Sequence, residues 1–282
     1  MRILVVGDVA LDVLVTPAAA PVQGADVPAR IRTRPGGAGA NTAAWLAHLG
    51  ADATLAARVG DDHAGRAAAA DLAAAGVATH LAVDPDAATC TVVALLGSAD
   101  RTLLSDRGAA AHLAPADLPG VAGFDHLHVS GYVLLSASSR PAGLAALAAA
   151  RGGGLTTSVD PQVAPALAAP GRAAAFLDDV HGVDLLLPNA DELRALGGEA
   201  AVLRRVGAVV TSAGADGASW ADGSGRWSVP ACPTDVADAT GAGDAFDAGV
   251  LVSWLNGADR EAALTAGCAA GAAAVGRIGA RP

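Results

Sequence analysis

Asn41–Gly76 reads NTAAWLAHLGADATLAARVGDDHAGRAAAADLAAAG, and its three segments set the fold class. Ala44, Trp45 and Leu49 fall at helical spacing, and Gly50 stands where a helix is capped. Ala53–Val59 is a short apolar run of strand length. His63–Ala75 predicts a second helix, closed by Gly76. Helix, buried strand, helix is the rhythm of an α/β chain with a mostly parallel sheet.

The rhythm extends in both directions. Arg2–Gly7 (RILVVG) is an apolar run ending at glycine, as a buried strand entering a loop should be. His126–Val129, Thr156–Val159, Leu185–Leu187 and Ala208–Thr211 predict further buried strands. Pro141–Arg151, Asp191–Leu196, Ala242–Leu255 and Asp259–Val275 predict helices. Two stretches differ: Leu11–Arg34, and Thr89–Leu104 with a turn at Gly97–Asp100 (GSAD), predict extended, partly exposed hairpins. They form a small β appendage on the main domain. Trp45 is expected in a helix core, and Trp220 and Trp227 in a short hairpin.

Composition excludes several function classes. The 282 residues carry 28 acidic and 18 basic side chains, a net charge of −10, which argues against a nucleic-acid binder. All the basic side chains are arginine. A Walker A loop, a protein kinase and a Schiff-base enzyme each need a lysine, so none of those describes this chain. The 52% hydrophobic content is mostly small residues, with 3% aromatic, and predicts no membrane span. Asp8 and Asp12 interrupt the apolar N-terminus before a signal-peptide core forms. Cys90, Cys232 and Cys268 are odd in number and far apart, which reads as buried thiols in a reducing cytoplasm.

The chemistry concentrates at Asp238–Phe246, DATGAGDAF. Gly241, Ala242 and Gly243 immediately precede an apolar helical pattern. A glycine-rich turn opening a helix offers free N–H groups and the positive dipole end to an anion. Asp244 falls in the first helical turn, where the dipole is expected to keep it ionised. A carboxylate beside an anion hole suits transfer of phosphate to a hydroxyl, supplying a base and donors for developing charge. The plainer alternative is an aspartate that only complements the dipole.

A second glycine cluster, Arg34–Asn41 (RPGGAGAN), also leads into a helix and is suited to holding a polyol, with Asn41 bonding a hydroxyl. Taken alone, it reads more readily as a loop and N-cap. Asp12 follows the first strand–loop, near where α/β sheets bind ligands, and a carboxylate there can grip adjacent sugar hydroxyls; a solvated loop acid is the alternative.

Other residues have plainer readings. His126 and His128 share a strand face but lack a third metal partner, so they read as structural. Arg101 and Arg107 flank the appendage hairpin within reach of a substrate's acidic group, with solvated charges as the default. Asp178 and Asp179 read as a solvated helix end. Asp160 follows a strand at a productive sheet edge without a firm role.

These segments resemble the ribokinase-like (PfkB) carbohydrate kinases across nearly the whole chain. RPGGAGAN resembles the family's N-terminal signature and DATGAGDAF its C-terminal one. Between them, and in family order, come RVGDDHAG (Arg58–Gly65), LLPNADE (Leu186–Glu192) and SAGADG (Ser212–Gly217), with a terminal IGA (Ile278–Ala280). The resemblance implies a three-layer αβα sandwich over residues 1–282, with a β lid formed by about 11–34 and 89–107. It implies an ATP- and Mg²⁺-dependent kinase of a small sugar, or of a nucleoside; a silent sugar- or nucleotide-binding protein is the rival from another class. Asp244 is then the base, and Gly241, Ala242 and Gly243 the anion hole. Asp12, Gly37 and Asn41 contact the sugar. Ser212, Gly214 and Gly217 lie along the nucleotide, with Ser in place of the commoner Thr. Asn189 and Glu192 organise Mg²⁺ through water, and Asp238 and Thr240 mark where some members hold K⁺. A homodimer through the lid is also implied. Ala38 stands where ribokinases usually carry Lys, which weakens ribose as the acceptor. With so little chain after IGA, a tail contact to adenine is not expected.

Overall fold

The computed structural model describes residues 1–96 and 101–282. In chain order its strands are β1 (Arg2–Val6), β2 (Ala10–Pro17), β3 (Ala29–Gly36), β4 (Asp52–Gly60), β5 (Ala78–Asp84), β6 (Cys90–Leu96), β7 (Arg101–Asp106), β8 (His126–Ser130), β9 (Thr156–Asp160), β10 (Leu185–Leu186), β11 (Ala208–Ser212), β12 (Ala218–Asp222) and β13 (Gly225–Val229). Its α-helices are α1 (Ala38–His48), α2 (His63–Ala74), α3 (Gly131–Leu135), α4 (Arg140–Gly152), α5 (Ala164–Leu167), α6 (Arg172–Asp179), α7 (Ala190–Ala195), α8 (Glu199–Val202), α9 (Ala242–Leu255) and α10 (Arg260–Val275).

Nine strands form one sheet in the order β13-β12-β11-β10-β9-β8-β1-β4-β5. The seven strands from β11 to β5 run parallel, and the β12–β13 hairpin adds an antiparallel edge. Alternation along β1 separates the two cores: Ile3 and Val5 pack on one face with Trp45, Val250 and Leu264, while Leu4 and Val6 pack on the other with Leu127, Leu147 and Phe176. Each such fully buried side chain contributes about 1.5–3 kcal/mol of transfer free energy. The result is the expected three-layer sandwich. Trp45 is buried in α1, as predicted, and its indole N–H donates to the Ala280 carbonyl, tying the last residues to the first helix.

The strand and helix expectations differ from the structure mainly at element ends. Helix α1 starts at Ala38, three residues earlier than the apolar pattern indicates, because its first turn is built from small residues. Trp220 and Trp227 face each other across the β12–β13 hairpin. His126 and His128 are fully buried and both bond the Ser158 hydroxyl, in keeping with a structural role, although His128 Nε2 has no partner among the described residues. The helix-end acids divide differently from the expectation. Asp178 is exposed and faces Arg205, but Asp179 is buried and receives two hydrogen bonds from the half-exposed Arg140, so it is a paired acid at the edge of the interior.

A second sheet of four strands, ordered β3-β2-β6-β7, carries the irregular stretches. Strands β2–β3 and β6–β7 pair antiparallel, while β2 and β6 meet in parallel. The turn expected at Gly97–Asp100 lies outside the described residues. Strand register puts Asp12, Leu14 and Thr16 on one face beside Arg34, Arg32 and Arg30, with Val92 and Ala94 following on β6. That face looks toward the carboxyl ends of the large sheet. Val13, Val15, Ile31, Val93 and Leu104 fall on the opposite face.

Candidate active site

Because the core strands are parallel, their carboxyl ends share one edge, where Asp160 and Ser212 end their strands and Asp8 and Asn189 lie just beyond theirs. Two cavities open there. One, of about 610 Å³, lies under the small sheet and is lined by Asp12, Gly37, Asn41, Thr240, Gly241 and Asp244 among others. The second, of about 540 Å³, is lined by Ser212, Gly214, Gly217, Ala242, Gly243 and Phe246 among others. The turn into α9 therefore forms part of both walls: Gly241 and Asp244 face the first cavity, Ala242 and Gly243 the second.

Two glycines in that turn are glycine for different reasons. Gly241 has φ +76°, and a Cβ there would stand 2.6 Å from the Ala280 carbonyl oxygen. Gly243 has open space, with no atom within 4 Å of an added Cβ. The protein does not require a glycine at 243, so the room belongs to the cavity. No side chain caps α9, leaving its first N–H groups for an anion.

Asp244 is buried and points at the first cavity rather than into the interior. The Asn41 amide donates to Asp244 Oδ2 at 3.0 Å. Arg281 fixes that amide: its Nε donates to Asn41 Oδ1 at 3.1 Å and its Nη2 to the Gly36 carbonyl at 2.9 Å. Burial pushes the Asp244 carboxyl up to about 7; the Asn41 bond holds it down in part, and Asp8 and Asp12 push it further up. This corrects the expectation that the dipole alone keeps Asp244 charged. Desolvation outweighs it, leaving a group balanced between its two protonation states near neutral pH.

Around Asp244 stand residues that motif reading did not select. Asp8 accepts from the Gly39 N–H at 3.2 Å and from Arg107 Nη1 at 3.0 Å. The Arg107 guanidinium also lies 4.6 Å from the centre of the Tyr132 ring. Arg107 is thus a half-buried wall of the cavity, paired with Asp8, not the solvated hairpin charge taken as its default. Gln162 has φ +71°, the one non-glycine residue at positive φ among those described, and lines the same cavity. Its side chain reaches Asp160 Oδ2, and its N–H donates to Asp160 Oδ1 at 3.0 Å. A residue held in that costly conformation beside the site is one the surrounding structure over-determines. Asp8 was open to the same sheet-edge rule that selected Asp12; Arg107 was marked only by its place beside the appendage hairpin, and Gln162 and Arg281 had no local signal.

Asn189 and Glu192 form a reciprocal cap on α7. Asn189 Oδ1 accepts from the Asp191 and Glu192 N–H groups, and Glu192 Oε2 accepts from the Asn189 N–H, each at 2.9 Å. Glu192 is buried, as are Asp160 and Asp247, and burial raises all three carboxyls above the ordinary range. The negative charges of Asp160, Asp244 and Glu192 crowd Asp247, a side-chain hydrogen bond links it to Asp160, and its Oδ2 has no partner among the described residues. A group of buried acids with an orphaned oxygen fits a nearby divalent cation. Among the described residues no three acid, His or Cys side chains converge on one point. Asp238 braces the turn: it accepts from the Thr240 N–H and hydroxyl at 2.9 and 2.7 Å and from the Gly279 N–H at 3.1 Å.

Comparison with known proteins accords with this geometry. The chain matches the pfkB family of carbohydrate kinases over residues 1–282. An ATP-dependent ribose-1-phosphate kinase of Halopiger xanaduensis is 34% identical over 260 residues, covering 87% of this chain and 82% of that one. A fructokinase of Klebsiella pneumoniae is 31% identical over 265 residues, covering 89% and 83%. A candidate ribokinase II of E. coli, solved with ATP and Mg²⁺, superposes with a TM-score of 0.88 at 25% identity, covering 99% of this chain and 94% of that one. Fold and site thus define a phosphotransferase acting on a sugar hydroxyl. The chain belongs to the pfkB family of carbohydrate kinases.

Proposed function

We propose that the first cavity holds the acceptor, the second holds ATP, and Asp244 removes the acceptor's proton as the γ-phosphoryl group crosses between them. The observation carrying this reading is the α9 turn, which lines both cavities within four residues. The acceptor O–H bond breaks, its oxygen bonds the γ-phosphorus, and the bond from that phosphorus to the ADP oxygen breaks. The proton passes to Asp244 and then to solvent. The N–H groups of Gly241, Ala242 and Gly243 receive the charge spreading over the transferred group. Asp12, Gly37 and Asn41 orient the acceptor; Ser212, Gly214 and Gly217 border the nucleotide. Asn189 and Glu192 would hold Mg²⁺ through water, where it would offset phosphate charge in a chain that has no lysine. Asp238 and Thr240 are the residues beside which K⁺ would sit, steadying the turn; no step depends on it.

A sugar suits the first cavity better than a nucleoside. Tyr132 is the one aromatic residue named in its lining, and Arg107 already lies over one face of that ring, which leaves little aromatic surface for a base to stack on. ATP as donor and three free cysteines suit a reducing compartment, the cytoplasm. The test is an ATP-consumption screen over pentoses, hexoses, their phosphates, sugar acids and nucleosides, with ³¹P detection of product. ADP formation that depends on a sugar supports the reading. Binding of sugar and ATP with no turnover of any acceptor contradicts it and favours the silent binding protein.

Arg281 is a positioning residue in this scheme, acting through Asn41. In Arg281→Met the Asn41 amide loses the donor that fixes its orientation and can turn its oxygen toward Asp244. The Asp244 carboxyl then rises further, because the hydrogen bond favouring its charged form weakens. The acid limb of the kcat/KM profile is expected to move up by about one unit, roughly tenfold less activity at pH 6. An unmoved limb would show that Arg281 only packs the chain end.

The outward face of the small sheet, with Ile31 61% and Leu104 55% exposed, supports a homodimer formed through the lid. Wild type is expected at twice 27.2 kDa by light scattering, and Ile31→Glu with Leu104→Glu at 27.2 kDa. A wild-type monomer at micromolar concentration would overturn the dimer.

A further inference from the structure

We propose that Gln162 is a positioning residue for the phosphoryl transfer: its side chain bridges Asp160 and Asp244 and holds the base toward the acceptor, and the strained turn at this position exists to aim it there. The proposal rests on the kinase reading above and adds a residue to its machinery. The backbone comes first. Asp160 ends β9, and the chain then turns sharply: the Val163 N–H donates to the Pro161 carbonyl at 3.0 Å, with Gln162 between them at φ +71°. A three-residue turn closed by that bond at positive φ is the rare, strained form of the γ-turn, which glycine enters most easily. The turn has little room to relax, because a Cβ on Gly131 of α3 would stand 2.4 Å from the Pro161 carbonyl oxygen.

What the strained turn achieves is a direction for the side chain. The Gln162 amide donates to Asp160 Oδ2 and its N–H donates to Asp160 Oδ1 at 3.0 Å, so one carboxylate grips the residue twice. The same side chain lines the acceptor cavity and bonds Asp244, restraining the rise of that carboxyl together with the Asn41 amide. Asp160 is steadied in turn by a hydrogen bond with Asp247, three residues beyond Asp244 on α9. The end of β9 therefore grips the start of α9 at two points, through Gln162 at Asp244 and directly at Asp247. The charged and titratable groups facing Asp244 are Asp8 and Asp12 on the β1–β2 side, Tyr132 of α3, Asp160, Asp247 and Arg281. Four of these are acids that oppose a charge on Asp244, and the direct hydrogen bonds favouring its charged form come from two amides, Asn41 and Gln162. Arg281 already fixes the first amide; the strained turn and Asp160 fix the second.

Two variants of the full-length enzyme separate positioning from packing, assayed with whichever acceptor the ATP-consumption screen finds. Gln162→Met keeps the length of the side chain and removes its donor; Gln162→Gly removes the side chain and suits the turn. Each is expected to lower kcat by about tenfold to a hundredfold, the scale of a misplaced catalytic group, with KM for acceptor and for ATP unchanged. In Gln162→Met the acid limb of the kcat profile should move to higher pH by about half a unit, because a bond favouring charged Asp244 is gone. The melting temperature of Gln162→Gly should stay close to wild type, since relief of the turn offsets the lost side-chain bond. Wild-type kcat in both variants overturns the proposal while leaving the kinase reading intact. So does a tenfold rise in acceptor KM at unchanged kcat, which would make Gln162 a substrate contact. A fall in kcat that only follows a collapse in melting temperature, with the acid limb unmoved, reduces Gln162 to a structural part and also overturns it. No turnover by wild type with any acceptor overturns the kinase reading itself, and this assignment with it.

Discussion

Asp244→Asn is expected to lose about 10²–10⁴-fold in kcat, the usual contribution of a positioned general base, while keeping its affinity for both ligands. The substitution keeps an acceptor for the Asn41 amide and removes only the capacity to take a proton. The same variant should be more stable than wild type at alkaline pH. The folded-state carboxyl titrates near 7 against about 3.9 in an unfolded chain, so the folded form binds the proton more tightly. Wild-type stability therefore falls as pH rises from 4 to 7, by up to about 4 kcal/mol at 1.36 kcal/mol per unit. Asparagine carries no such cost. Melting curves should show the variant several degrees above wild type at pH 8 and level with it at pH 4. A variant that turns over normally would remove the base; one without a pH-dependent stability gain would mean Asp244 is solvated.

Gly243→Val should produce the opposite dissociation, lost nucleotide affinity in an intact fold. An added Cβ meets no protein atom within 4 Å at this position, and glycine in a helix costs stability relative to other residues. The branched group instead enters the second cavity, where the phosphates must approach the α9 amides. KM for ATP is expected to rise about 100-fold, the equivalent of losing two charge-assisted hydrogen bonds at the low end of their range. The melting temperature should hold or rise slightly. Unchanged ATP affinity would place the nucleotide elsewhere.

Much of this arrangement was legible in the sequence. Runs such as Arg2–Val6 and Ala208–Ser212 are short, apolar and bounded, so they mark buried parallel strands without ambiguity. Helix α9 begins at Ala242, as its pattern indicated, because the Gly-Ala-Gly turn and the apolar run meet there. What escaped was what folding brings together from afar. Arg281 reaches Asn41 across 240 residues, and Arg107 reaches Asp8 across 99, and neither has a neighbour in the sequence that hints at the partner. The elevated Asp244 carboxyl was invisible for a related reason: its local sequence gives the dipole, while its desolvation comes from everything packed around it. Gln162 shows the limit most plainly, since only the tertiary context forces a glutamine to positive φ.

The most direct measurement is a crystal structure with acceptor and a non-hydrolysable ATP analogue bound together. The reactive hydroxyl oxygen should lie within about 2.6–3.2 Å of an Asp244 carboxylate oxygen, with the γ-phosphate on the amides of Gly241–Gly243. A hydroxyl beyond hydrogen-bond reach of Asp244, or a γ-phosphate away from that turn, would contradict the account.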